Sequence, residues 1–477
     1  MSTLVEPDAV VIEDIKRLAG RGASAMVTRQ SLGIAINLLG TIALSRLLGP
    51  AMWGIFAIAQ VVYMTSREIF GRGISSYLIK QVAVPSPEDI RKTFALQHLA
   101  GLIFLAIITA MARPAAAWYG HADLFPLILA SGFASYLYSW RGVSISLMER
   151  TFDYIHVGTI EVLEAATFYL IAAMVALSGH IIAGLAIATV LRGLIPTILA
   201  FLLMPVRPAF FFRLRSTSAV ADFGFFMAAS SLVNVALLSV PVIFVGKLAG
   251  AEALGLAQMA FALYGNFLFA TAAVLRLGFS TYSRLVIFPG QLENSVNQHL
   301  EMLAVALVPA IVLFAGLGRI WTPLIFGTKW HCLSPLLLAL APGYLLASVF
   351  WGVLNPALLA TGRHRPLLLW LAGITVTYSA LTWLLTPRYS EMGVAAAFSL
   401  SQIILLPPLF WIFRPTCVRL RHKITFRELF VGAAFLGVLT YARGAVTLLV
   451  TGIFLGWWYW RNRTSLFEMR AALVDLW

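Results

Sequence analysis

Four arginines interrupt apolar stretches of the chain: Arg29, Arg67, Arg141 and Arg192. A charge at the centre of a membrane helix costs about 2.5–3.5 kcal/mol on insertion scales, so such residues usually face a cavity or a partner. Arginine stays ionised and presents a planar fork of donors that matches phosphate oxygens. The chemistry on offer is therefore non-covalent: holding an anion where hydrocarbon would exclude it. Arg72 and Arg276 lie nearer span ends, where a long side chain can snorkel to the interface. Two carboxylates can answer the arginines, Glu161 and Glu164, three residues apart on one helix face. They have two readings. One is an interhelical ion pair, Arg141–Glu161 or Arg192–Glu164. The other is a group that couples transport to protons or Na⁺, because a carboxylate taken out of water favours its protonated form.

Other polar residues recur at helical spacing. Arg29, Gly33, Asn37, Thr41 and Ser45 follow one another every four residues, a step that overshoots a full turn by only about 40°. The stripe suits a hydrated lumen, or a packing face, since small residues let helices approach. Gln60, Tyr63 and Arg67 align at i, i+3 and i+7, and Tyr138 precedes Arg141 by three. Tyr344, Ser348, Trp351 and Asn355 align at i, i+4, i+7 and i+11. As aromatics with an amide they suit either a sugar-stacking surface or a core. Signs of covalent chemistry are lacking: no nucleophile with a base, no phosphate-binding glycine loop and no metal spacing. His121 and His331 stand alone in short loops, and Cys332 and Cys417 fall in loops on opposite sides of the membrane. No enzymatic activity, cofactor or metal is expected.

These residues need elements to carry them, and composition says which. Of 477 residues, 60% are hydrophobic and 11% charged, and mean hydropathy is +0.88. Soluble chains carry roughly 45–50% apolar and about 25% charged residues, so a soluble enzyme is excluded, and so is disorder. Long apolar runs, such as 99–111, 181–203 and 367–385, indicate helices and not the alternating strands of a barrel. The pattern predicts 14 spans, near 24–45, 53–74, 94–112, 125–147, 157–177, 181–204, 223–246, 253–277, 299–318, 334–360, 367–386, 392–413, 428–441 and 445–460. The last two are short enough to be one re-entrant hairpin, so 12 to 14 is the range.

The net charge of +14 then reads as topology and not as nucleic-acid binding. Of the 34 Lys and Arg, 21 fall in one set of connections, 7 in the other and 6 within spans. The positive-inside rule places both termini in the cytoplasm. The first 14 residues, with Glu6, Asp8, Glu13 and Asp14, do not read as a signal peptide. The basic run from Arg414 to Arg427 suits anionic lipid headgroups or a synthesis partner.

An internal repeat divides the chain. Residues 45–54, SRLLGPAMWG, overlay 246–255, GKLAGAEALG, at an offset of 201, and Ala59 and Tyr63 pair with Ala260 and Tyr264. Gly73-Ile74-Ser75-Ser76-Tyr77 overlays Gly278-Phe279-Ser280-Thr281-Tyr282. Six spans intervene, an even number, so the halves run in the same direction about an axis along the membrane normal. The expected organisation is a segment 1–23, a six-helix bundle 24–204, a linker 205–222, a second bundle 223–413, and a basic linker with a C-terminal helix pair and tail, 414–477.

The same residues carry a resemblance. Ser45-Arg46-Leu47-Leu48-Gly49-Pro50 followed by Trp53-Gly54-Ile55-Phe56-Ala57 resembles the opening of bacterial polysaccharide transporters. These are the O-antigen and exopolysaccharide repeat-unit flippases of the multidrug/oligosaccharidyl-lipid/polysaccharide exporter superfamily. Met148-Glu149-Arg150-Thr151-Phe152-Asp153-Tyr154 resembles that family's turn between the fourth and fifth helices. The resemblance implies 12 or 14 helices in two six-helix bundles that open alternately to each side of the bacterial cytoplasmic membrane. It also implies a polyprenyl-diphosphate-linked oligosaccharide as cargo and polysaccharide polymerase or synthesis machinery as partner.

On this reading Arg29, Arg67, Arg141 and Arg192 contact the headgroup phosphates. Asn37, Tyr344, Trp351 and Asn355 contact sugar, and Glu161 or Glu164 couples an ion. Replacing Arg29 or Arg141 with Ala is expected to abolish export while leaving expression intact. Three rivals stand beside it. A drug or metabolite exporter of the same superfamily leans on an acidic residue in the first span, which here holds Arg29. A peptidoglycan lipid-intermediate flippase shares the helix number and cationic cavity. A membrane glycosyltransferase or polymerase needs catalytic carboxylates or large outer loops to hold sugars, whereas the outer loops are short and hold only the scattered Asp123, Glu252 and Glu391.

Overall fold

The computed structural model describes residues 32–72, 74–80, 84–151, 153–206, 235–413, 431–432, 434–436, 439 and 445–474. Everything regular among them is helical. Arg29, most of the expected linker 205–222 and the basic run 414–427 lie outside the described residues. Contacts divide the chain into two units. Unit 1 is Met1–Gly49 with Ile55–Ala236, and unit 2 is Pro50–Gly54 with Leu237–Trp477.

Unit 1 contains α1 (Leu32–Leu47), most of α2 (Pro50–Arg72), α3 (Ser76–Lys80), α4 (Pro87–Tyr119), α5 (Leu124–Arg150), α6 (Tyr154–Leu177) and α7 (Ile181–Leu203). Helices α6 and α7 form an antiparallel hairpin, and α5 packs against both α4 and α7. The ends are set by local chemistry. Ser86 caps α4 in a capping box with Asp89, and Gly120 closes it in the left-handed region at φ 74°. Asp153 caps α6 by accepting from the His156 amide, and Arg150 donates to the Leu78 carbonyl at 2.8 Å. The turn Met148–Tyr154 therefore has a structural role, tying α5 to the end of α3 and starting α6.

Unit 2 contains most of α8 (Val235–Leu248), with α9 (Gly250–Leu285), α10 (Pro289–Gly316), α11 (Gly318–Phe326), α12 (Leu333–Leu346), α13 (Gly352–Ala360), α14 (His364–Ile404), α15 (Leu406–Phe413) and α16 (Ala445–Val474). Among the described residues six stretches are long and apolar enough to cross a membrane: Pro87–Tyr119, Tyr154–Leu177, Ile181–Leu203, Pro289–Gly316, Leu333–Ala360 and Arg365–Ile412. The chain is a multi-pass membrane protein. The last stretch makes two passes, because α14 reverses at Ser390, whose φ of 49° and ψ of −131° are not helical. Trp370 Nε1 donates to the Leu405 carbonyl at 2.8 Å across 35 residues, which a straight helix would hold about 52 Å apart.

Between α12 and α13 lies a π-helical turn, Ala347–Trp351. Its i→i+5 pattern winds wider than an α-helix, so the phase slips midway through the expected face Tyr344, Ser348, Trp351, Asn355. Tyr344 and Ser348 are buried, whereas Trp351 and Asn355 are half-buried. The four do not form one continuous stripe.

The repeat has a physical counterpart inside unit 2. Gly54 and Gly255, paired by the offset of 201, cross at backbone contact. A Cβ on Gly54 would fall within the carbonyl oxygen of Ala251, and a Cβ on Gly255 within that of Pro50. The contacts are reciprocal, as between two segments related by a local two-fold. Because the obstacle is backbone, no rotamer change relieves it. Gly54→Ala and Gly255→Ala are each expected to destabilise the protein by about 3 kcal/mol, at the upper end of overpacking. A fall in the detergent-solubilised unfolding midpoint would show it, and an unchanged midpoint in both would mean that the crossing is loose.

Candidate functional site

The site lies within unit 1, where α2, α5, α6 and α7 each contribute. Spacing along α2 puts Gln60, Tyr63 and Arg67 on one face. Helix α5 brings Tyr138 and Arg141, three residues apart, α6 brings Glu164 and Phe168, and α7 brings Arg192. Glu164 and Arg192 stand near the middle of their helices, so the cluster is deep in the apolar layer. Glu164 and Arg141 are 5% and 1% exposed, and Arg192 is 7% exposed.

Glu164 is the hub. Its Oε2 accepts from Arg141 Nη2 in a buried ion pair. Its Oε1 accepts from the Tyr63 hydroxyl at 2.9 Å and from Arg67 Nη1 at 3.4 Å. Arg192 Nη2 donates to Gln60 Oε1 at 2.7 Å, and its guanidinium carbon lies 3.8 Å from the Tyr63 ring centre and 4.7 Å from that of Phe168. The Arg141 guanidinium lies 4.3 Å from the Tyr138 ring centre. Aromatic faces attract cations through their quadrupole, and more so away from water. They are how two guanidiniums survive with so few carboxylates.

Three guanidinium groups gather here, and two of them, Arg67 and Arg141, meet the one buried carboxylate. Glu161, one turn earlier on α6, is half-buried, and even counting it the cluster is cationic. Among the described residues Arg192 has no carboxylate within ion-pair distance. Donors are also left over: Arg141 Nε and Nη1 and Arg192 Nε are buried without a hydrogen-bond partner. An unpaired buried donor costs about 1–3 kcal/mol, more for a charged group. Arg67 differs from the others in exposure, with 45% of its side chain open. The arrangement can therefore hold an anion with charge-assisted bonds, Arg67 being the accessible end.

The expected ion pairs Arg141–Glu161 and Arg192–Glu164 are not those formed. Arg141 takes Glu164, and Arg192 takes an amide and two rings. Helix rotation decides this, because on α6 Glu164 is buried where Glu161 is half-buried. Asn37 is exposed on α1 and donates to the Gly33 carbonyl at 2.7 Å. The Tyr169 hydroxyl bridges it at 3.4 Å to Thr41 at 3.0 Å, and the Tyr169 ring fills the space that a Cβ on Gly40 would need. Phe168 and Tyr169 went unnoticed in the sequence. Phe168 had a signal, since Glu161, Glu164 and Phe168 fall at i, i+3 and i+7.

Unit 2 places Tyr344 in an aromatic core, stacked on Tyr264 with centres 4.5 Å apart and 4.9 Å from Phe398. Trp351 stacks on Trp370 at 5.8 Å. Tyr264, the repeat partner of Tyr63, donates to the Leu337 carbonyl at 2.6 Å and packs among aromatic rings. Equivalent tyrosines thus serve a charged cluster in one unit and an aromatic core in the other. Among the described residues no three His, Cys, Asp or Glu side chains come together as a metal site.

Residues 43–335 match the family described as "Polysaccharide biosynthesis protein". The chain is 27% identical over 206 residues to the teichuronic acid biosynthesis protein TuaB of Bacillus subtilis (strain 168), a match covering 41% of each chain. It is 22% identical over 352 residues to the lipopolysaccharide biosynthesis protein WzxC of Escherichia coli (strain K12), covering 70% of this chain and 68% of that one. It is 23% identical over 338 residues to the succinoglycan biosynthesis transport protein ExoT of Rhizobium meliloti (strain 1021), covering 67% and 68%. In fold it is similar to the lipid II flippase MurJ in an inward closed conformation, with a TM-score of 0.71, 16% identity, and 92% of this chain and 98% of that one covered. An inward-facing multidrug resistance MATE family transporter of the MOP superfamily gives 0.57 and 15% identity, covering 88% and 99%.

Proposed function

Because the chain belongs to the polysaccharide biosynthesis protein family, we propose that it flips a polyprenyl-diphosphate-linked oligosaccharide repeat unit from the cytoplasmic to the outer leaflet of the bacterial inner membrane, by alternating access. The observation that carries this is the surplus of buried guanidinium around Glu164 in the middle of apolar helices. A lipid diphosphate must cross with its charges shielded from hydrocarbon. Arginine binds its oxygens bidentately and stays ionised throughout, while binding stays weak enough for the headgroup to leave. A cationic drug would meet repulsion at the same place.

Arg67, the accessible end, makes the first phosphate contact. Arg192 and Arg141 follow with the donors they have free, and Arg29, outside the described residues, is retained from the sequence as a fourth phosphate contact. Asn37, hydrogen-bonded to Tyr169, offers sugar contacts on the same unit. Tyr344, Trp351 and Asn355 remain sugar-contact candidates in unit 2. The similarity to proteins of teichuronic acid, lipopolysaccharide and succinoglycan biosynthesis supports a sugar-bearing cargo. It also supports a place beside a polymerase or other synthesis machinery. Both termini lie in the cytoplasm, and the protein carries out no covalent chemistry.

Full-length protein in lipid vesicles tests this. It should speed the loss of outer-leaflet fluorescence from a labelled polyprenyl-diphosphate-linked sugar, and should leave a trapped cationic dye in place. Dye transport without lipid flipping would replace this reading with the drug-exporter one.

A further inference from the structure

Every donor that the Glu164 carboxylate uses is one that a phosphate oxygen would want. Oε1 accepts from the Tyr63 hydroxyl and Arg67 Nη1, and Oε2 from Arg141 Nη2. Among the described residues no other carboxylate lies within ion-pair distance of Arg67, Arg141 or Arg192. One carboxylate is also too small for the site, because Arg141 Nε and Nη1 and Arg192 Nε stay buried and unbonded around it. A group with more oxygens and more negative charge would satisfy them.

We propose that Glu164 is a resident substitute for the anionic group of the cargo: it occupies the guanidinium donors of Arg67 and Arg141 in the empty protein, is displaced when a diphosphate arrives, and retakes the donors to expel it. The proposal rests on the reading that these arginines hold a diphosphate. Its physical basis is competition. Two anions share one set of donors, so the affinity for the incoming one falls by whatever holds the resident one. In return, Arg67 and Arg141 are never left unpaired in the apolar layer, where a lone charge is costly. Glu164 thus tunes release and makes no lasting contact with the cargo.

The test compares the full-length protein with Glu164→Gln, which keeps size and an acceptor for Tyr63 but removes the competing charge. Binding is measured by calorimetry with inorganic pyrophosphate, in nanodiscs of phosphatidylcholine. Flipping is measured with the labelled lipid-linked sugar in vesicles. The variant should bind pyrophosphate about tenfold more tightly, the scale of a close buried charge pair, and flip more slowly by a similar factor because release lags. Equal or weaker pyrophosphate binding in the variant, with binding intact in the parent, overturns the competitor role and leaves the anion site standing. Failure of both proteins to bind pyrophosphate, together with normal flipping by Arg67→Ala, overturns the anion site itself and this proposal with it. Should Glu164→Gln not fold, Glu164→Asp keeps every donor and the charge but draws the carboxylate back from Arg67 and Arg141 by one methylene, which weakens the resident anion alone. It should tighten pyrophosphate binding in the same direction by a smaller factor, and a loss or no change there counts against the proposal equally.

Discussion

Arg67→Ala is expected to slow flipping of a lipid-linked diphosphate by about 10- to 100-fold, the equivalent of one charge-assisted hydrogen bond. Its unfolding midpoint should stay close to the parent's. The asymmetry follows from exposure. With 45% of its side chain open, Arg67 gives up little packing. Glu164, which it touches at 3.4 Å, keeps the Tyr63 hydroxyl and Arg141, so no buried charge is stranded. Arg67→Lys retains the charge but loses the fork, and should fall between parent and Ala in rate. The vesicle assay with detergent-based unfolding of the same preparations checks both halves. A variant that flips at the parental rate would remove Arg67 from the cargo's path.

Arg141→Ala should behave differently, although both residues are arginines facing one carboxylate. Arg141 is 1% exposed and forms the buried ion pair with Glu164. Removing it leaves a carboxylate 5% exposed without its main partner, a loss of about 3–5 kcal/mol for a buried pair broken from one side. Low yield and a lowered midpoint are therefore expected alongside lost export. This replaces the sequence-based expectation that Arg141→Ala leaves expression intact. The double variant Arg141→Ala with Glu164→Gln removes both charges and should recover a large part of the lost stability. A double-mutant cycle on the unfolding midpoints measures the coupling, expected to be at least about 1.5 kcal/mol. Additive losses would mean that the two groups do not form a unit.

The two variants also separate two uses of intramembrane arginine that look alike in a linear chain. Insertion cost alone picked out Arg67, Arg141 and Arg192, because charge is improbable in an apolar stretch whatever the fold. Cost does not tell which of them is sealed and which is open. That depends on which helix covers the side chain: Arg141 is enclosed, Arg192 lies over Tyr63 and Phe168, and Arg67 is uncovered along nearly half of its side chain. The same limit affected unit 2. The face Tyr344, Ser348, Trp351, Asn355 assumed uninterrupted α-helical winding, and the π turn at Ala347–Trp351 broke its phase.

By itself the sequence determined the helical, membrane-embedded class and the charges that interrupt its apolar helices. Both are properties of composition and period, which local physics dictates. Partner choice was decided only by tertiary structure. That Arg141 takes Glu164, that Arg192 takes Gln60 across 132 residues, and that Tyr63 faces charge where Tyr264 faces aromatic rings all depend on helix rotation and packing. An ion pair is a distance between two elements, and no spacing within one element contains it.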